Sequence, residues 1–193
     1  MRDLNIFRLI NKIEKSIINN SLQKFSSEVV SFFIKNDSRF YISISDEQAE
    51  NKFPVIYLVS YDKSKILEER LQFENIHSAG IYFGFIKKGV LHISLEGAEF
   101  MRNHQILPDS NKITINEKGE KSILYGNDIL KSAITNIPSN LKKNSLLAVI
   151  NQNNEIIAIA RAEIDYSSFN NLKLNQKIAR NLVDRGYYLR KKQ

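Results

Sequence analysis

The chain has no cysteine among its 193 residues. That excludes a disulfide scaffold, a zinc ribbon and a thiol nucleophile, and it suits a reducing cytoplasm. Histidine is scarce and scattered, at His77, His92 and His104, so a histidine-rich metal site is not expected. No run of about 18 apolar residues occurs, and neither a membrane span nor a membrane partner is expected. The N-terminus places Arg8, Lys12, Glu14 and Lys15 inside a helix-like pattern and does not read as a signal peptide, so the expected location is the cytoplasm. The 7 glycines spell neither GxGxxG nor GxxxxGK(S/T), and GxSxG and HExxH are also missing. Glu96 and Glu99 stand three apart on a predicted helix and read as solvated acids, not as an acid–base pair. His92 alternates with Leu91 and Ile93 on a strand and reads as structural. A non-enzymatic chain without metal or cofactor is expected.

What is present is ordinary in composition, with 42% apolar and 25% charged residues, and unusual in its distribution of charge. The length allows one large domain or two small ones. The turn formers Leu107-Pro108-Asp109-Ser110-Asn111 suggest a boundary, giving domains 1–108 and 109–193. The first carries 14 basic and 13 acidic residues, the second 14 and 8. In the last 21 residues Lys173, Lys177, Arg180, Arg185, Arg190, Lys191 and Lys192 face Asp184 alone. A basic end on an otherwise neutral chain points to a polyanion.

The periodicity predicts a helix capped by Asp3 with Ile6, Ile10, Ile13 and Ile17 on one face, fraying at Asn19-Asn20-Ser21. Strands are predicted at Val29 to Ile34, Phe40 to Ile44 and Val55 to Val59, the first two joined by a hairpin turn at Lys35 to Ser38. A helix follows at Ser64 to Leu71 with Ile66, Leu67 and Leu71 inward. Ile81 to Phe85 and Val90 to Leu95 flank Lys87-Lys88-Gly89 as a hairpin, and Glu96 to His104 makes a closing helix. After Pro108 the pattern changes to short strands at Ile113 to Ile115, Ile123-Leu124, Leu146 to Ile150 and Ile156 to Ile164. One helix, about Asp128 to Ser132, interrupts them. Gln152-Asn153-Asn154 makes a tight turn, and Lys177 to Val183 with Tyr187 to Leu189 close a small barrel or pseudo-barrel.

Basic and aromatic residues cluster at the same end. Arg185, Arg190, Lys191 and Lys192 surround Tyr187 and Tyr188, a mixture suited to phosphates and unpaired bases. Lys173, Lys177 and Arg180 lie along one edge. Tyr125-Gly126-Asn127 ahead of Asp128 reads as a loop entering a helix N-terminus, where free N–H groups favour phosphate. Tyr188 is read as a core aromatic in preference to a stacking platform.

Three motifs in order carry a resemblance. Leu124-Tyr125-Gly126-Asn127 with Ile129-Leu130-Lys131-Ser132 resembles the strand-to-helix passage of a PUA domain, in the form LYGNxVLKSG of the Nip-seven ribosome-biogenesis factor family. Asp184-Arg185-Gly186-Tyr187-Tyr188-Leu189-Arg190 is similar to that family's D-x-G-x-Y-x-R ending, in its archaeal DxGxYLR form. Gly80-Ile81-Tyr82-Phe83-Gly84 with Leu91-His92-Ile93-Ser94 resembles its GxxFG…LHVT hairpin. The likeness spans about residues 80 to 190, and residues 20 to 75 carry no match. The chain departs from the pattern at Asp128, where eukaryotic members have His, at Ala133 in place of Gly, and at Ala158 and Ala160 in a segment usually rich in glycine. The acid would weaken a phosphate contact and the two alanines would add bulk near the groove.

The resemblance implies an α+β protein, an N-terminal mixed α/β domain with antiparallel strands followed by a C-terminal PUA pseudo-barrel. It implies a non-catalytic accessory factor of pre-rRNA processing and large-subunit assembly that binds uridine-rich single-stranded RNA. The expected RNA contacts are Lys131, Arg161, Lys173, Lys177, Arg180, Arg185 and Arg190. Ribosome-assembly or exosome proteins are the expected partners of residues 1–108, and a monomer from an archaeal cytoplasm is expected. Two rivals stand beside this reading: an adaptor whose basic end meets an acidic protein, and a reduced RNA-modifying enzyme with an appended PUA domain.

Overall fold

A computed structural model describes residues 6–36, 38–44 and 53–190, without the side chains of Tyr188 and Leu189. The chain divides into two compact units between Gly97 and Ala98.

In the first unit, β1 (Ile6–Leu9), β2 (Arg39–Ile44), β3 (Val55–Val59), β4 (Ile81–Lys87) and β5 (Val90–Ile93) form an antiparallel sheet in chain order. Strand β2 is nearly all apolar because both of its faces are covered. Phe40 points to one face and meets Phe33 of helix α2 (Ser27–Lys35) at 5.3 Å between ring centroids. Tyr41, its neighbour in the chain, points to the other face and packs with Phe7, Val59 and Leu67 of helix α3 (Tyr61–Arg70). Helix α1 (Lys12–Leu22) is tied to the sheet edge by Ser21, whose Oγ accepts the Leu91 N–H at 3.0 Å. The β4–β5 hairpin turns through Lys88 (φ 51°) and Gly89 (φ 69°), two successive positive φ values that define a type I′ turn. Helix α4 (Leu95–Asn103) follows.

Two expected elements change type here. Residues 6 to 9 are not helical: they pair with β2 in the register Ile6↔Ile44 to Leu9↔Tyr41. The helix begins later because Asn11 and Glu14 form a capping box, the Asn11 side chain accepting the Glu14 N–H and the Glu14 carboxylate accepting the Asn11 N–H. Ile13, expected to face inward, is 74% exposed; Asp3 lies outside the described residues. Val29 to Ile34 is helical where a strand was expected. Ser26 caps it by accepting the Val29 N–H at 3.2 Å, and Val29 and Phe33, four apart, are its buried residues. The expected hairpin turn at residues 35 to 38 is instead a helix-to-strand connection, and Asp37 within it lies outside the described residues. Leu67 of α3 faces inward and Leu71, just past its end, packs against the same core, while Ile66 is 61% exposed.

The second unit holds a six-stranded, nearly barrel-shaped sheet. Its strands are β6 (Lys112–Ile115), β7 (Ile129–Leu130), β8 (Ile134–Asn136), β9 (Leu146–Ile150), β10 (Ile156–Ala162) and β11 (Lys177–Asp184), in the order β7-β11-β10-β9-β6-β8. Among the described strands only β6 and β9 pair in parallel. Ile113, Ile115, Leu147, Val149 and Ile157 fill the interior, and Ile123 of helix α5 (Glu117–Leu124) joins them. Ala158 and Ala160 are fully buried in this same core, so they do not border a groove as expected.

The expected strand Ile123-Leu124 is the last turn of α5, whose N-terminus is capped by the Asn116 side chain accepting the Gly119 N–H at 2.8 Å. The expected helix at Asp128 to Ser132 is β7 followed by a 3₁₀ turn, Lys131–Ala133. Tyr125-Gly126-Asn127 is therefore a helix exit, and it offers no helix N-terminus to a phosphate. The expected closing strand Tyr187 to Leu189 is part of a one-turn helix, Tyr187–Arg190. Ala133, the replacement for a family glycine, is buried against Gly119; a methyl on Gly119 would come within 2.5 Å of the Ala133 Cβ.

Candidate nucleic-acid interface

Alternation along β10 and β11 builds the site. Ala160 and Ala162 point into the core, so Arg161 between them points outward. Ala162 pairs with Ala179, which is also inward, and Arg161 pairs with Arg180, which is also outward. Two arginines thus stand side by side on the outer face. The Arg161 guanidinium has no ion pair among the described residues, and Arg180 is 62% exposed.

Beside them, Lys177 and Arg180 close on one carboxylate. Glu163 Oε2 accepts from Lys177 Nζ at 3.0 Å, and its Oε1 accepts from Arg180 at 3.0 Å. Lys177 also lies 3.3 Å from Asp128 Oδ2. The other oxygen of Asp128 accepts the Asn181 N–H at 2.9 Å. The hydrogen bond from Lys177, aided by Arg180, holds the Glu163 carboxyl below the usual carboxylate range. The same bond, with a second to Asp128, raises the Lys177 ammonium above its usual value. Glu163 and the structural role of Asp128 escaped the sequence reading. The one signal in the sequence was the two-residue spacing of Arg161 and Glu163, which puts them on the same side of an extended chain.

The remaining expected contacts divide into free and committed cations. Lys173 is exposed, in the loop before β11, and its ammonium has no partner among the described residues. Arg185 follows β11, half-exposed, with Glu155 4.0 Å away. It lies roughly 25 Å from Lys177, taking about 3.3 Å per strand residue. Lys131 fastens a loop: its ammonium donates to the carbonyls of Asn170 (3.1 Å) and Leu172 (2.8 Å) and sits 5.0 Å above the Phe169 ring. Arg190 is committed in full. Its guanidinium donates twice to the buried Asp184 carboxylate, at 2.9 Å each, and to the Leu124 carbonyl. Gly186 is required beneath it, because a Cβ there would come within 2.0 Å of the Leu124 carbonyl oxygen. The Leu124 and Asp184–Arg190 motifs are therefore two halves of one clamp. Tyr188, Lys191 and Lys192 lie outside the described side chains.

A hollow of about 760 Å³ opens elsewhere on this unit, lined by Thr114, Asn136, Asn140, Gln152 and Asn154 among others. Its lining is amide- and hydroxyl-rich, and its one lysine, Lys112, is paired with Asp109 at 2.8 Å, whereas Arg161, Lys177 and Arg180 gather on the β10–β11 face. No group of three or more metal-ligating side chains occurs among the described residues, and none of their helices is long and apolar enough to cross a membrane.

The nearly barrel-shaped sheet of the second unit has the architecture of a PUA domain. Residues 111–193 match the family model of the UPF0113 PUA domain. Over 185 residues, 95% of this chain and 94% of the relative, the chain is 29% identical to a UPF0113 protein of Archaeoglobus fulgidus. In structure it is similar to a hypothetical protein of Pyrococcus horikoshii (TM-score 0.64, 12% identity, 93% of this chain and 94% of the other). It is also similar to a conserved PUA domain protein of Thermoplasma acidophilum (TM-score 0.59, 17% identity, 94% and 95%). The second unit is thus a PUA domain, preceded by an α/β unit with an antiparallel sheet.

Proposed function

We propose that this protein is a non-catalytic RNA-binding accessory factor of pre-rRNA processing and large-ribosomal-subunit biogenesis, acting in the cytoplasm. Its PUA domain takes uridine-rich single-stranded RNA on the outer face of β10 and β11. The observation that carries this reading is the convergence of Arg161, Lys177 and Arg180 on one exposed sheet face of a PUA domain. Lys173 and Arg185 extend the cationic track beyond the two ends of β11. Arginine grips a phosphate through two N–H groups and lysine as a point charge, and such contacts set position along a strand without reading its sequence. Lys131 and Arg190, whose donors are taken by carbonyls and by Asp184, shape the domain and leave the contacting to the other five.

The motif likeness to the Nip-seven family supplies the biological setting, and the nearly balanced charge of residues 1–108 suits a protein-binding half that meets assembly or exosome proteins. The test is fluorescence anisotropy of the full chain with labelled oligo-uridine and oligo-adenosine. Salt-sensitive binding, tighter for uridine, supports the reading. Absence of binding to either at 50 mM salt contradicts it.

A further inference from the structure

The Glu163 carboxylate bridges Lys177 and Arg180. Each of its oxygens takes one cation, Lys177 at 3.0 Å and Arg180 at 3.0 Å, which is how a phosphate's two free oxygens would bridge the same pair. Asp128 adds a second negative charge at 3.3 Å from Lys177, so Lys177, Arg180, Glu163 and Asp128 together carry no net charge. Two positions away along the chain, Arg161 has no acidic partner among the described residues. The face therefore has an open cation and a closed pair.

We infer that Glu163 is a specificity-determining residue of the RNA face: an internal competitor that occupies the Lys177–Arg180 phosphate subsite until a correctly placed strand displaces it. The inference rests on the reading that this face binds RNA. Its physical content is that polyanions are attracted, whatever their sequence, by unpaired cations. A neutralised pair adds nothing to that attraction. A strand already held by Arg161 and its neighbours presents its next phosphate at high local concentration and can exchange for the carboxylate; a passing duplex cannot. Glu163 lowers affinity for all polyanions and lowers it most for the wrong ones. Asp128 has a different role, since its Oδ1 also holds the Asn181 backbone N–H, and its loss would disturb β11.

The test is Glu163→Gln in the full chain, with Asp62→Asn, the same change of charge on the exposed start of α3 in the first unit, as control. Anisotropy is measured with a labelled oligo-uridine and with a DNA duplex of equal phosphate count, across salt concentrations. Release of two exposed ion pairs predicts about fivefold tighter oligo-uridine binding. The duplex gains more, and the log–log salt slope steepens by about 0.7 to 1.4, one or two phosphate contacts. Asp62→Asn changes none of these. If wild type binds oligo-uridine and Glu163→Gln binds it equally or more weakly, the carboxylate orders the cations or is idle, and the inference is overturned while the RNA reading stands. If neither protein binds, the RNA reading falls and the inference with it. Thermal melts of both variants establish that the comparison is between folded proteins, and Glu163→Ala supplies the same measurement should the Gln variant fail to fold.

Discussion

Arg161, on β10, and Glu163, the residue after its end, stand two residues apart and have opposite surroundings. Arg161 is exposed and unpaired among the described residues, beside Arg180, whose own charge is met by Glu163. Replacing Arg161 by Ala is predicted to weaken oligo-uridine binding about fivefold, the value of an exposed charge–phosphate contact near 1 kcal/mol, without lowering the melting temperature; anisotropy and a thermal melt check both. Glu163 is faced by Lys177 and Arg180 from β11, with Asp128 behind Lys177 and Arg161 beside it on β10. Its carboxyl is depressed in the folded state, so its stabilising contribution is present above the ordinary carboxylate range near pH 4.3 and is lost as pH falls through the folded value. The Lys177 ammonium is raised, so its contribution is present below the ordinary lysine value and lost as pH rises through the folded one. The difference in melting temperature between wild type and Glu163→Gln is therefore predicted to be constant from about pH 5.5 to 9 and to shrink on acidification below the carboxylate range. A difference that changes between pH 6 and 8 would contradict this assignment.

At the level of elements, the strands with clear alternation or flanking turns were legible: β2, β3, the β4–β5 hairpin, β9, β10 and β11. The failures have identifiable causes. Val29 to Ile34 is rich in β-formers, and a run of six apolar residues does not distinguish a buried strand from a buried helix; the Ser26 cap decides it. Ile6 falls in helical register with Ile13 and Ile17 by coincidence, and the Asn11–Glu14 capping box, which lay in plain view, marks where the helix starts. Helix α5 was hidden because Gly119 and four charged residues occupy its first turns, and its glycine is explained only by the approach of Ala133. The Asp184–Arg190 clamp was visible as a motif but not as a contact, since its partner, the Leu124 carbonyl, is a backbone atom 66 residues away. Removing Arg190 leaves a carboxylate that is 3% exposed with Asn181 as its remaining donor. Arg190→Ala is predicted to destabilise the PUA domain, lowering its urea midpoint, and Arg190→Lys is predicted to recover little because one ammonium cannot match the fork of a guanidinium on these three acceptors. Urea unfolding of the two variants measures this; an Arg190→Ala protein as stable as wild type would show that the clamp is idle.

For the molecule as a whole, the legible feature was the division of charge between a neutral first part and a basic second part, and the hidden one was how many of those cations are already spent. Seven were expected to touch RNA; Lys131 and Arg190 are bound to the protein, and Lys177 and Arg180 share Glu163. The cations outside the Glu163 site, Arg161, Lys173 and Arg185 (the last 4.0 Å from Glu155), predict a log–log salt slope near −2 at about 0.7 per contact for as long as Glu163 keeps its place. All five predict −3 to −4, the slope expected of Glu163→Gln. The location of the RNA is the central claim, and photocrosslinking tests it most directly. The full chain is crosslinked to an oligo-uridine carrying 4-thiouridine, and the modified peptides are mapped. Crosslinks concentrated in residues 156–184 and in the loop that carries Lys173 are predicted. Crosslinks confined to residues 53–97, or spread over the hollow at Asn136 and Gln152, would contradict the assignment of the β10–β11 face.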